Sequence, residues 1–205
     1  MISFITWVNR PSEYAQLLET ISYTCRVVPH ETVMVGQEAH SMAQAYSIGM
    51  RKAQGTVLVY VHQDVRIMDF GFARAVKAAT EPDNVGFAGV IGSTTPSNEN
   101  WWDTHGQMGW VIRNDGLFWG HCAYDGPARQ VDGLLMATRK RYPWPEGELP
   151  GVHFLDQWMC RYAESMGDEN RIFSAAVQHM SNGSTGSAEY LHNLRLYQQR
   201  WRVKE

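Results

Sequence analysis

Short apolar runs alternate with helix-period stretches from the N-terminus to about residue 91, the pattern expected of βα units around a largely parallel sheet. Residues 2–8, Ile-Ser-Phe-Ile-Thr-Trp-Val, predict a buried strand. Pro11-Ser-Glu-Tyr14 then opens a helix, with proline at its favoured first position and Tyr14, Leu17, Leu18 and Ile21 as its apolar side. Residues 32–35 predict a second strand closed by Gly36. Ser41-Met-Ala-Gln44 has the spacing of a capping box, and Met42, Ala45, Tyr46, Gly49 and Ala53 follow on one helical face, with Gly55 as the stop. Thr56-Val-Leu-Val-Tyr-Val61 is the clearest strand, a helix is expected over about 67–79, and residues 85–91 predict a fourth strand.

Past that point the regular pattern fades. Residues 92–116 are rich in Ser, Thr, Asn, Gly and Trp, with Trp101-Trp102-Asp103-Thr104-His105 at their centre, and predict a long functional loop. Two strands are expected over 117–124 and 130–138, separated by the turn Asp125-Gly126-Pro127, and a proline-rich loop over 139–150. Leu155, Trp158, Met159, Tyr162 and Met166 share a helical stripe that Gly167 ends, and residues 171–177 predict a last strand. After His179 and a small-residue loop over 181–187, a C-terminal helix is expected to carry Leu191, Leu194, Tyr197 and Trp201 inward, with Arg195, Arg200, Arg202 and Lys204 toward solvent. No repeat or linker divides the chain, so the expectation is a single α/β domain over 1–205.

Composition narrows the function classes. The 205 residues carry 18 basic and 21 acidic side chains, a net charge of -3 that gives no global attraction to nucleic acid or anionic lipid. Cys25, Cys122 and Cys160 are far apart with no CxxC pair, which argues against a disulfide framework or zinc knuckle and fits a reducing compartment. The N-terminus has neither a basic leader nor a small-residue cleavage site, and no stretch reaches the roughly 18 apolar residues of a membrane span, so a cytoplasmic protein is expected. There is no GxGxxG after the first strand and no GxxxxGK[ST], which makes NAD enzymes and P-loop ATPases unattractive. Eight tryptophans and eight histidines point to a polar, aromatic-lined site.

Several residues are placed to do chemistry. Asp64 ends the strand that runs into His62-Gln63-Asp64, where α/β sheets bind ligands; it either meets a divalent ion and a diphosphate or caps the following segment. Asp156 starts a helix and is either a general base or an ordinary first-turn aspartate. His179 precedes a Gly/Ser loop and is either a metal or phosphate ligand or a structural histidine, and His153 carries the same two readings. Asp132 interrupts an apolar run, as a turn residue or as a polar group facing a cleft. Trp101, Trp102 and Trp110 form either a stacking platform or a self-packed loop.

Together these segments resemble a family 2-like glycosyltransferase of the GT-A fold. Residues 57–65, Val-Leu-Val-Tyr-Val-His-Gln-Asp-Val, resemble the segment leading to a DxD-type metal site, in the "HQDV" form of a small branch. Val131-Asp-Gly-Leu-Leu-Met136 resembles the acceptor-side strand, Val152-His-Phe-Leu-Asp-Gln-Trp-Met-Cys160 the "FHFYDxDLC" helix, and Val177-Gln-His179 with Asn182-Gly183-Ser184 the closing segment. The resemblance implies a Rossmann-like mixed sheet, with residues 1–91 as the nucleotide-sugar half and 92–205 as the acceptor half. It implies that Asp64 and His179 hold Mn2+ or Mg2+, and that Asp156 is the base of an inverting transfer from a nucleotide sugar, a UDP-sugar first, to a hydroxyl. Fold analogy further puts Thr6, Trp7, Asn9, Arg10, Gln37, His62 and Gln63 around the donor, and the acceptor falls to Trp101, Trp102, Asp132, Gly133 and His153. Two positions depart from the pattern: His62 stands at the first acid of the DxD, and Trp158 at the second acid of the helix motif. A nucleotidyltransferase and a binding module without turnover are the competing classes. Glycans, proteins, small metabolites and hydroxymethylated DNA bases are the open acceptors, and Arg139 to Arg141 with the C-terminal cations are the candidate DNA surface.

Overall fold

The computed structural model describes residues 1–95, 101–103, 105–181 and 186–201. Thr104, Asn182, Gly183, Ser184, Arg202 and Lys204, all singled out in the sequence, lie outside the described residues.

The first half builds as its pattern predicts. Strands Ile2–Trp7 (β1), His30–Val35 (β2) and Val57–Val61 (β3) pair in parallel with β1 in the middle. All five residues of β3 are buried, as a strand covered on both faces requires. Helix Pro11–Thr24 (α1) turns Tyr14, Leu17 and Ile21 to the core. Helix Met42–Lys52 (α2) is capped by the Ser41 hydroxyl, which accepts from the Gln44 N–H. Gln44 reaches back to the His40 N–H (2.8 Å), one residue before the position a capping box predicts. Small side chains bring α2 close to the sheet: a Cβ on Gly49 would lie 2.2 Å from Ile5 Cγ2. Gly49→Ala, which in an open helix would stabilise, should therefore cost about 1–3 kcal/mol through overpacking, read as a lower urea midpoint.

Beyond β3 the chain repeatedly steps between two sheets, and here the sequence expectations need correcting. Val65–Ile67 is a strand (β4), so the helix expected from about 67 is confined to Phe72–Ala79 (α3). The expected strand over 85–91 is two, Val85–Gly89 (β5) and Ile91–Ser93 (β6). The segment 92–116 is not one loop. After the short 3-10 turn Trp101–Asp103 it forms strand Gln107–Arg113 (β7), which pairs with Phe118–Cys122 (β8) across a bulge at Gly109/Trp110. The expected turn at Asp125-Gly126-Pro127 gives way to a short strand, Gly126–Ala128 (β9). The expected strand over 130–138 splits at Asp132-Gly133-Leu134 into Gln130–Val131 (β10) and Leu135–Thr138 (β11). After helix Leu155–Ser165 (α4), the expected strand over 171–177 is again two, Glu169–Ile172 (β12) and Val177–His179 (β13).

Among the described residues, the first sheet has the order β2-β1-β3-β11-β5-β12-β9 and the second the order β10-β6-β7-β13-β4, with β8 on β7. Antiparallel β11 sits between β3 and β5, which makes the first sheet mixed. The steps β3 to β4, β5 to β6, β10 to β11 and β12 to β13 each cross from one sheet to the other within four residues or fewer. The last helix, Ala188–Arg200 (α5), is phased by its Ser187 cap so that Tyr190, Asn193 and Tyr197 are buried, while Leu191, expected inward, is exposed. Asn193 is held there by donating to the carbonyls of Pro150 (2.7 Å) and His153 (3.0 Å). No helix among the described residues is long and apolar enough to cross a membrane.

Candidate active site

A cleft of about 830 Å3 opens where the two sheets meet. Its floor is built from the crossovers. The step from β3 to β4 places His62, Gln63 and Asp64 at the carboxyl end of the first sheet's parallel strands, where such sheets bind ligands. The β10 to β11 step supplies Asp132 and Gly133, the end of β13 supplies His179, and the first turn of α4 supplies Asp156. Trp7, Asn9 and Arg10, at and after the end of β1, line one side; Trp101, Trp102 and His153 line it elsewhere. The structure does not bring Thr6 or Gln37 to the cleft: Thr6 is only 1% exposed within β1, and Gln37 is solvent-exposed outside the lining. Trp101 is itself almost wholly buried, packed against the rings of Trp102 and Trp119, so no more than an edge of its indole can contribute to a wall.

His62, Asp64 and His179 offer ligand atoms that all lie within 4.8 Å of one another. The His179 Nε2 lies 3.5 Å from the Asp64 Oδ1 and 3.1 Å from the Ser181 hydroxyl. Burial alone would raise the Asp64 carboxyl, but the His179 hydrogen bond and charge outweigh it, helped by His62 and Ser181, and hold it well below the usual carboxylate range. Burial also works against a charged His179; Asp64 and, less strongly, Asp132 overcome it and push that imidazole up. His62 goes the other way. Burial and then the repulsion of His179 push it down to about 4, so it is neutral at pH 7 with a lone pair to offer.

Gln63, between the two cluster residues, does a different job from its neighbours. Its Oε1 accepts from the N–H groups of Asn9 (3.0 Å) and Arg10 (2.8 Å), and its Nε2 donates to Asn9 Oδ1 (2.5 Å). It ties the end of β1 to the end of β3 and so fixes the rim beside the cluster.

Asp156 lines the same cleft from α4 and rests against Gly133. Its Oδ2 accepts from the Gly133 N–H (3.0 Å) and its Oδ1 from the N–H of Gln157 (2.8 Å), so the first-turn reading and the cleft-facing reading both describe it. Burial, then the neighbouring Asp132, push its carboxyl up to about 7. Asp132 is also raised by burial, although its Oδ1 accepts from the Leu134 N–H at 2.8 Å. A Cβ on Gly133 would sit 3.2 Å from that of Asp156, so glycine is what allows the backbone to serve the carboxylate so closely. The helix begins under strain: Phe154, just before Leu155 and Asp156, has φ 65° and is clamped by the rings of Tyr190 and Tyr197. Such a backbone costs about 1–3 kcal/mol and persists because the aromatic packing over-determines it.

The cleft also contains residues that the sequence left unassigned, among them Arg113, Trp119 and Tyr190. The run Trp110-Val111-Ile112 is a β signal within the expected loop, and reading it as a strand would have carried Arg113 to the site.

A mixed sheet of this order, flanked by helices, is the framework of GT-A glycosyltransferases, and comparison with solved structures bears out that fold. The chain is similar to GalNAc-T7, solved with UDP, GalNAc and Mn2+, at a TM-score of 0.69 and 13% identity, covering 100% of this chain and 48% of that one. It is similar to the mannosyltransferase PcManGT from Pyrobaculum calidifontis, in complex with GDP-Man and Mn2+, at a TM-score of 0.60 and 14% identity, covering 97% of this chain and 63% of that one. A197 from STIV gives a TM-score of 0.51 at 12% identity, over 84% of this chain and 81% of that one. The chain thus spans about half the length of GalNAc-T7 and under two thirds of PcManGT. No curated protein matches it. The family model described as "Glycosyltransferase like family" matches residues 3–182, and the chain belongs to that family.

Proposed function

We propose that the chain transfers a sugar from a nucleoside diphosphate sugar to a hydroxyl acceptor, with a divalent metal held by His62, Asp64 and His179 and with Asp156 as the general base. The observation that carries this is the placement of the three-residue ligand cluster and Asp156 in one cleft. The donor set, two imidazoles and one carboxylate, fits a first-row divalent ion, and its nitrogen content favours Mn2+ over the oxygen-seeking Mg2+. His62 then stands in for the absent first acid of a DxD. Both solved glycosyltransferases named above were captured with Mn2+ and a nucleotide or nucleotide sugar, which supports the same pairing here.

When bound, such an ion offsets the charge that builds on a leaving diphosphate. The chain's own residues supply the rest. Trp7, Asn9 and Arg10 hold the nucleotide side, fixed by Gln63. Asp156, kept in place by the two N–H donors, takes the acceptor hydroxyl's proton as that oxygen attacks the anomeric carbon, and a carboxylate tuned to about 7 is well matched to this at neutral pH. Attack from the side opposite the leaving group inverts the anomeric centre. The acceptor meets Trp102, Asp132 and His153.

Titrating Mn2+ into the protein under electron paramagnetic resonance tests the reading. One ion per chain should be taken up, with its spectrum altered by added UDP or GDP. A protein that leaves Mn2+ free in the presence of both nucleotides contradicts it.

A further inference from the structure

The three-residue cluster has one carboxylate, so a divalent ion held there keeps a net charge of only about +1, against a leaving nucleoside diphosphate of about -2 to -3. Further positive charge has to come from the cleft itself. Among the described residues, the arginines lining it are Arg10 and Arg113, and no lysine does. Arg10 sits on the nucleotide side and is engaged with Glu13 at 3.0 Å. Arg113 is the last residue of β7 and pairs in register with His179 on the adjacent parallel strand β13. Side chains of directly paired residues on neighbouring strands project to the same face of a sheet, so the guanidinium and the cluster imidazole share one wall of the cleft.

Resting on the nucleotide-sugar reading, we infer that Arg113 is the clamp on the donor's diphosphate, held ready by Asp115 until the donor arrives. The Arg113 Nη2 lies 2.9 Å from the Asp115 Oδ2, with both side chains nearly half exposed. An ion pair so open to water is weak, so a diphosphate presenting two charged phosphates displaces Asp115 easily. A guanidinium suits that exchange, because its planar fork can bridge two phosphate oxygens where an ammonium meets one. Asp115 is excluded from the lining of the cleft itself, and its Oδ1 accepts from the Leu117 N–H (3.0 Å), which anchors it in the β7–β8 turn. The arginine therefore moves and the aspartate stays.

Isothermal calorimetry of UDP and GDP binding in Mn2+, on the whole chain, tests this. Arg113→Ala should weaken diphosphate binding about tenfold or more, Arg113→Lys less, and binding of the matching nucleoside monophosphate should change little. Asp115→Asn keeps an acceptor for Leu117 and removes the competing charge, so it should tighten diphosphate binding about two- to threefold. If wild type binds the nucleotide and Arg113→Ala binds it equally, or Asp115→Asn weakens it, the inference fails and the glycosyl-transfer reading stands. If wild type binds neither nucleotide diphosphate, the reading beneath it fails as well. A circular dichroism spectrum matching wild type establishes that each variant is folded, which the exposed position of both residues favours.

Discussion

Asp156→Asn should reduce sugar transfer by about 100- to 10,000-fold while leaving Mn2+ and nucleotide binding within about twofold of wild type. The size follows from the base's role: the amide cannot take the acceptor proton, and its one oxygen serves only one of the two N–H donors, Gly133 and Gln157, that now hold the carboxylate. Position on α4, remote from the His62, Asp64 and His179 cluster in sequence and attached to a different element, leaves metal binding intact. The pH dependence supplies a second signature. The Asp156 carboxyl is pushed up to about 7, and the active form is the deprotonated one. Activity should therefore fall about tenfold per unit as pH drops below 7 and level off above it. Asp132→Asn removes the like charge that, after burial, contributes most to that rise, so the acid limb should move to lower pH. A limb that stays in place in Asp132→Asn contradicts the assignment, as does an Asp156→Asn enzyme that retains a tenth of its activity.

Asp64→Asn should cost Mn2+ affinity roughly 100-fold or more and make nucleotide binding nearly indifferent to the metal. Asp64 is the cluster's sole carboxylate and the group that the two imidazoles surround. With asparagine in its place the cluster offers two imidazoles and a neutral amide, a poor match for a hard divalent ion. The folded state should survive the change, because the residue's backbone role is retained: its carbonyl accepts from the Met180 N–H at 3.0 Å whatever the side chain. Equal Mn2+ uptake by wild type and Asp64→Asn would move the metal site elsewhere.

Much of the first half of the fold was legible because its sequence signals are local. A five-residue β run before His62-Gln63-Asp64, a proline at the first turn of α1 and a serine cap on α2 each fix an element without reference to distant residues. The crossovers were not legible in that way. Residues 85–91, 130–138 and 171–177 each read as one strand because their character is mainly apolar, interrupted in 130–138 only at Asp132-Gly133, whereas the folded chain breaks at Val90, at Asp132-Gly133-Leu134 and at 173–176 to change sheets. Hydrophobic pattern reports burial, and both sheets are buried at these points, so it cannot report which sheet a residue joins. A different signal hid β7, β9 and Arg113: the β run 110–112 lay in a segment whose Ser, Thr, Asn and Gly content reads as loop, and Gly126-Pro127 reads as a turn. The inward phase of α5 was hidden because the buried face carries Asn193, a polar residue whose partners are the carbonyls of a distant loop. Thr6 and Gln37 were assigned by analogy to strand ends alone; Thr6 is buried within β1, Gln37 is exposed beyond β2, and neither lines the cleft.

Nucleoside diphosphate release from a panel of UDP- and GDP-sugars, with Mn2+ and with chelator, for wild type and Asp64→Asn, tests metal-dependent sugar transfer at this one cleft. Wild type in Mn2+ should release a nucleoside diphosphate, without pyrophosphate, from at least one donor, with near-background release in chelator or in Asp64→Asn. Release that is unchanged by chelator and by Asp64→Asn, or release of pyrophosphate from a nucleoside triphosphate in its place, would contradict it.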